Sequence, residues 1–151
     1  MGDKLDRLRL GEQLCFALYA ATHAITRIYR PMLAEFNITY PQYIVLLVLL
    51  ERVESTVNGI ADALKLDAAT VTPLLKRLAE AGWITRERNR ADERVVVVRL
   101  TPQGRALEAR LAEVQNTVRY RTGLDIDAFR NLRDTLDELT ETLATGPSEE
   151  V

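Results

Sequence analysis

The only thiol in the chain is Cys15, and Tyr19 lies one helical turn beyond it, where it can share the same helix face. A lone cysteine forms no internal disulfide and supplies no zinc-finger framework. It either packs as a small apolar group or reacts, and reaction needs a stabilised thiolate, a route for the oxidant and polar donors aimed at sulfur. Tyr29 and Tyr40 are too far along the chain to reach that sulfur through local helical geometry. His23, the single histidine, has no Cys, His or paired-carboxylate cluster near it in sequence. It is read as structural, with no metal and no cofactor. Gly-rich phosphate loops and nucleophile elbows are absent.

The elements that must position these groups follow from apolar periodicity. Leu5, Leu8, Leu14, Leu18, Ala21, Ile25 and Ile28 predict a long first helix, ended by Pro31 or soon after it. Thr39-Tyr40-Pro41-Gln42-Tyr43 opens a strongly apolar second helix. Residues 57–64 form a short amphipathic helix, broken at Lys65-Leu66-Asp67. Val71, Leu74, Leu75 and Leu78 then recur at the spacing of one buried stripe, with Asp67 as N-cap and Gly82 as the stop, predicting a helix over 68–81. Two strand-like runs, Trp83–Arg88 and Arg94–Leu100, flank the charged stretch Asn89–Glu93. Thr101-Pro102 opens a further helix carrying Leu107, Leu111, Val114 and Val118 to about Gly123. Asp125 or Asp127 caps a last one with Phe129, Leu132, Leu136, Leu139 and Leu143.

Helix, turn, helix and hairpin in that order are the layout of a winged reader of double-stranded DNA. Charge agrees: residues 65–105 hold nine Lys/Arg against five Asp/Glu, a net of +4 in a chain of net −2, so the rest carries −6. The fold class expected is mainly α with a small β-hairpin wing, a winged helix-turn-helix over about 57–101. The expected whole is one domain over 1–151, with dimerisation helices at about 5–35 and 102–144 and a tail at 145–151. Thr70 and Thr72 are placed as base contacts. Lys65, Lys76, Arg77, Arg90 and Arg94 are placed as phosphate or minor-groove contacts. No apolar run is long or uncharged enough to span a membrane and no signal peptide is apparent, so a cytoplasmic location is expected.

Thr70–Leu78, Gly82, Asp92-Glu93-Arg94 and Leu100-Thr101 resemble the winged-helix repressors of the MarR family. Leu14-Cys15-Phe16-Ala17-Leu18-Tyr19 and Thr39-Tyr40-Pro41-Gln42-Tyr43 resemble its organic-hydroperoxide-sensing branch, OhrR, of the one-cysteine type. The resemblance runs from about Leu10 to Gly104. It implies a homodimer on a pseudo-palindromic operator, with Asp92 holding Arg94 toward DNA. It also implies that Tyr29 and Tyr40 of the partner subunit, beside Tyr19, donate hydrogen bonds to the Cys15 thiolate. Organic hydroperoxide is then the expected oxidant, entering an apolar pocket lined by Phe16, Leu18 and aliphatics of the Ile44–Leu50 helix. With no second cysteine, the fates of a sulfenic acid are a mixed disulfide with a cellular thiol, a cyclic sulfenamide, overoxidation or a Cys15–Cys15 link; the mixed disulfide, with a low-molecular-weight thiol as second reactant, is the expected one. The chain departs from that branch at Ala68-Ala69, where Ser-Gly is common, so an operator sequence is not carried over. Two alternatives stay open: release by reversible binding of a small aromatic or phenolic ligand, and a thiol peroxidase using Cys15.

Overall fold

The structure, a computed structural model, describes residues 8–146. Leu5 and tail residues 147–151 lie outside the described part. By its internal contacts the chain divides into two compact units, one ending at Gln115 and one beginning at Asn116.

After a 3-10 turn at Leu10–Glu12, α1 spans Leu14–Ala34. It therefore begins later than the apolar pattern from Leu5 and Leu8 implies, and Leu8 is exposed. Pro31 sits inside its last turn, and the helix stops three residues on. α2, Tyr40–Glu51, opens with a reciprocal capping box: the Thr39 backbone amide donates to Gln42 Oε1 at 2.8 Å, and the Thr39 side chain accepts from the Gln42 backbone. Val45, Leu46 and Leu49 are fully buried and Val48 nearly so. An apolar helix of this kind must be enclosed, and α2 packs on α1 and on the reading head described next.

The reading head starts with β1, Ser55–Thr56, a two-residue strand that carries no sequence signal of its own. Helix α3 covers Val57–Leu64 and α4 covers Ala68–Glu80, with Lys65 turned into the left-handed region at φ 55° between them. Strands β2, Ile84–Arg88, and β3, Val96–Leu100, form the hairpin, and β1 adds to the free edge of β3, giving the antiparallel order β1-β3-β2. Opposed pairs run from Ile84 against Leu100 to Arg88 against Val96. The strands are shorter than the β-branched run implied, because Val95 turns back to bond Asn89 and Asp92 in the loop.

The end of α4 is locked to the base of the hairpin. Gly82 sits at φ 85°, so its amide bonds the Ala79 carbonyl and the Trp83 amide bonds that of Leu78, a Schellman closure. Thr101 Oγ1 then donates to the Gly82 carbonyl at 2.6 Å and accepts from the Gly104 amide at 3.0 Å, capping α5, Pro102–Ala106. The helix expected to run from Pro102 to Gly123 is interrupted once. Leu107 bonds the Gly104 carbonyl three residues back, and the regular ladder resumes as α6, Glu108–Arg121. α7 spans Ile126–Thr145 with Asp125, not Asp127, as the cap, accepting from the Ala128 amide at 2.8 Å. Among the described residues, no helix is long and apolar enough to cross a membrane.

A Cβ on Gly104 would stand 2.1 Å from the Trp83 carbonyl oxygen. Gly104→Ala must therefore pry α5 away from the base of the wing. It is expected to cost about 1–3 kcal/mol, the range for overpacking, read as a lower urea midpoint at unchanged m-value.

Candidate functional site

The first turn of α1 carries Cys15, which is exposed in the single chain. Tyr19 follows on the same stripe, and its ring meets His23 edge-on with centroids 4.4 Å apart. His23 thus packs on Tyr19, a contact that only the i, i+4 spacing hinted at. Among the described residues, no group of three or more His, Cys, Asp or Glu side chains is placed to hold a metal ion.

Tyr29 and Tyr40 come together elsewhere. Their ring centroids are 4.9 Å apart, α1 meeting the N-terminus of α2. Tyr43 completes the cluster at 5.2 Å from Tyr29 and 5.8 Å from Tyr40. Burial is the largest cause raising all three phenols above their ordinary pKa of 10; Tyr43 is raised most because its neighbours Tyr29 and Tyr40 add charge repulsion, and Tyr40 raises Tyr29 in the same way. At neutral pH they are protonated and can donate. Tyr29 lies fourteen residues beyond Cys15 on one continuous helix, about 21 Å along the axis at 1.5 Å per residue. A single chain therefore separates the thiol from the phenol pair.

The apolar pocket expected around Phe16 and Leu18 is likewise not closed within one chain. Phe16 is 40% exposed and Leu18 half-buried, while Val45, Leu46 and Leu49 of α2 are consumed by the core. A hollow of about 470 Å³ does lie beside Tyr40, but its walls are residues such as Thr26, Arg30, Asn37 and Ile38.

On the reading head, Asp67 caps α4 by accepting from the Thr70 amide at 2.7 Å. Hydrogen bonds from the Thr70 side chain and amide hold its carboxylate below the usual range. Thr70, Lys76 and Arg77 are exposed on α4, as is Lys65 before it and Arg90 at the wing tip. Thr72 is exposed too, but its hydroxyl donates to the Ala68 carbonyl at 2.7 Å, so toward a base it is left with acceptor capacity. Between α4 and the wing lies a hollow of about 330 Å³ bounded by Thr72, Asn58, Arg86 and Arg94. Arg86 escaped sequence reasoning because strand alternation does not tell which of three nearby arginines turns toward α4.

The Arg94 guanidinium grips Asp92 with two bonds, Nε to Oδ1 at 3.0 Å and Nη2 to Oδ2 at 3.2 Å, and the Arg94 amide adds a third at 3.1 Å. The Arg94 side chain is 91% exposed. A pair so wet contributes little stability; its effect is to fix where the guanidinium points.

These features define a winged-helix DNA reader with a cysteine-bearing first helix. The chain belongs to the SarA/Rot and MarR family of winged-helix transcriptional regulators. Residues 27–111 match the family model "Transcriptional regulator SarA/Rot". The HTH-type transcriptional regulator TtmR of Methylorubrum extorquens is 46% identical over 138 residues, 91% of this chain and 71% of that protein. The organic hydroperoxide resistance transcriptional regulator of Bacillus subtilis is 40% identical over 143 residues, 95% and 97% of the two chains. Among solved structures, reduced AbfR bound to DNA matches with TM-score 0.77 at 34% identity, over 93% of this chain and 99% of that one. AbfR, from Staphylococcus epidermidis, is also solved overoxidised on DNA, at TM-score 0.72, and in a disulfide form, at 0.64. These relatives are named as regulators, which removes the thiol peroxidase alternative; the chain is a transcriptional regulator and not an enzyme.

The bonds from Arg94 hold the Asp92 carboxyl below its ordinary 3.8. Since the folded value is depressed, the pair is intact above 3.8 and is lost as pH falls through the lower folded value. In Arg94→Ala the Asp92 midpoint should rise toward 3.8, as followed by carboxyl carbon NMR. The same variant should shrink the slope of log affinity for DNA against log salt by about 1; an unchanged slope would place the wing off the DNA.

Proposed function

We propose that the chain is a homodimeric repressor that releases a pseudo-palindromic operator when an organic hydroperoxide oxidises Cys15. The observation that carries this reading is the separation of Cys15 from the Tyr29–Tyr40 pair by about 21 Å of rigid helix. Tyr19 shares the helix face of Cys15, but Tyr29 and Tyr40 can reach that sulfur only if a second copy brings them. Each end segment carries apolar side chains that a second copy could cover: Leu10, Leu14 and Ile25 toward the N-terminus, and Leu132 and Leu143 on α7, are exposed in one chain. Burying them between copies would be favourable. The Bacillus subtilis relative, an organic hydroperoxide resistance regulator, and the several redox forms of AbfR support oxidation of a cysteine over reversible ligand binding.

The chemistry balances with two reactants from outside. The Cys15 thiolate attacks the terminal oxygen of ROOH; the O–O bond breaks, and the alkoxide takes up a proton and leaves as ROH. Sulfur is oxidised to a sulfenic acid and the peroxide is reduced to an alcohol. A low-molecular-weight thiol then condenses with the sulfenic acid, forming a mixed disulfide and water. The adduct is bulky, and displacing the surrounding tyrosines would alter the spacing of the two reading heads. On DNA, Thr70 and Thr72 would face bases, while Lys65, Lys76, Arg77, Arg90 and the Asp92-aimed Arg94 would face phosphates or the minor groove.

Fluorescence anisotropy on the chain's own upstream DNA tests the reading, with cumene hydroperoxide and a small thiol added to wild type and Cys15→Ser. Wild type alone should dissociate, and dithiothreitol should restore it; release of both variants, or of neither, overturns thiol sensing. Intact mass should show one thiol adduct per chain. An apolar entry route also predicts faster reaction with cumene hydroperoxide than with hydrogen peroxide, and equal rates would remove that route.

A further inference from the structure

Tyr43 is the third member of the phenol cluster, and neither its chemistry nor its position is accounted for by packing alone. It is 1% exposed, and its hydroxyl is buried with no partner at full hydrogen-bonding geometry among the described residues. Phenylalanine would fill the same space without stranding a polar group, so an unpartnered hydroxyl here is a local cost that calls for a use. The hydroxyl belongs to a ring packed against both Tyr29 and Tyr40, with the Tyr29 ring nearer.

We propose that Tyr43 is a positioning residue that donates its hydroxyl proton to the Tyr29 oxygen, leaving Tyr29's own proton directed outward to the Cys15 thiolate of a second copy. The proposal rests on the composite thiol site proposed above. Three features of the structure support it. Tyr43 is held rigidly, one turn into α2 behind the Thr39–Gln42 capping box, with its amide bonded to the Thr39 carbonyl at 2.9 Å. Tyr29 is itself buried, which limits the water that could compete for its hydroxyl. Of the two neighbouring rings, that of Tyr29 lies nearer to Tyr43, with centroids 5.2 Å apart against 5.8 Å for Tyr40, which makes Tyr29 the nearer phenol to accept from it. An accepted hydrogen bond polarises a hydroxyl and strengthens the one it donates. The chain Tyr43 to Tyr29 to sulfur would thus stabilise the thiolate more than Tyr29 alone.

The test is the pH dependence of Cys15 alkylation by iodoacetamide, read by intact mass on the full chain. Wild type, Tyr43→Phe, Tyr29→Phe and the double variant are compared, with Tm measured for each. Tyr43→Phe should keep the fold, with Tm lowered by no more than the loss of one modest hydrogen bond, while its alkylation midpoint moves to higher pH. Its reaction with cumene hydroperoxide at pH 7 should slow about two- to tenfold, the effect of one modest hydrogen bond. In the Tyr29→Phe background the second substitution should add nothing, because the effect passes through Tyr29. A Tyr43→Phe profile that coincides with wild type overturns the proposal, as does an equal loss in both backgrounds. If the coupling to alkylation is present but wild type does not react with peroxide, the peroxide reading fails and the positioning role stands.

Discussion

The constraint on which the rest depends is the burial of α2. A helix with Val45, Leu46 and Leu49 fully enclosed cannot stand at a surface. What encloses it is α1 on one hand and α3, α4 and β3 on the other. The helix that carries Tyr40 and Tyr43 at its start is therefore the same body against which the reading helix packs. Close-packed interiors transmit displacements rather than absorb them. Under the proposed function, a bulky group forced among the tyrosines would move α2, and with it the reading head.

The reading head is made rigid by small pieces of backbone chemistry more than by hydrophobic mass. Gly82 closes α4, Thr101 ties that closure to the hairpin and to the start of α5, and Gly104 permits the contact by having no side chain. Arg99 reinforces the outer side of the sheet, pairing with Glu54 before β1 and, at 3.5 Å, with Glu87 on β2. Farther out, Asp92 sets the direction of Arg94. Each device constrains geometry at an exposed place where net stabilisation is small, as suits a surface that must present donors at fixed spacing to a regular polymer.

Much of this was legible in the residues. The reading helices fall at Val57–Leu64 and Ala68–Glu80 as periodicity and capping predict, because caps and apolar stripes are local properties. The hairpin is found where the β-branched run and charged tip put it. What escaped was β1, whose two residues become a strand only because β3 offers a free edge. The single-residue break at Leu107 also escaped, since its apolar stripe continues unbroken through the interruption. Tyr43 was visible only as part of an apolar helix start, and Arg86 only as one of several wing arginines. Their neighbours come from elements far away in sequence.

Sequence alone determined the chemical inventory: one thiol, no second cysteine to resolve it, a basic segment within an acidic chain, and the helix and strand boundaries that follow from short-range rules. The tertiary structure decided which of those groups meet. Tyr29, Tyr40 and Tyr43 form one buried cluster, and Cys15 is held away from it by fourteen residues of a single helix. The reason is the rise of the α-helix. Residues four apart share a face and can be paired by counting, whereas residues on different helices are brought together or kept apart only by how the helices pack.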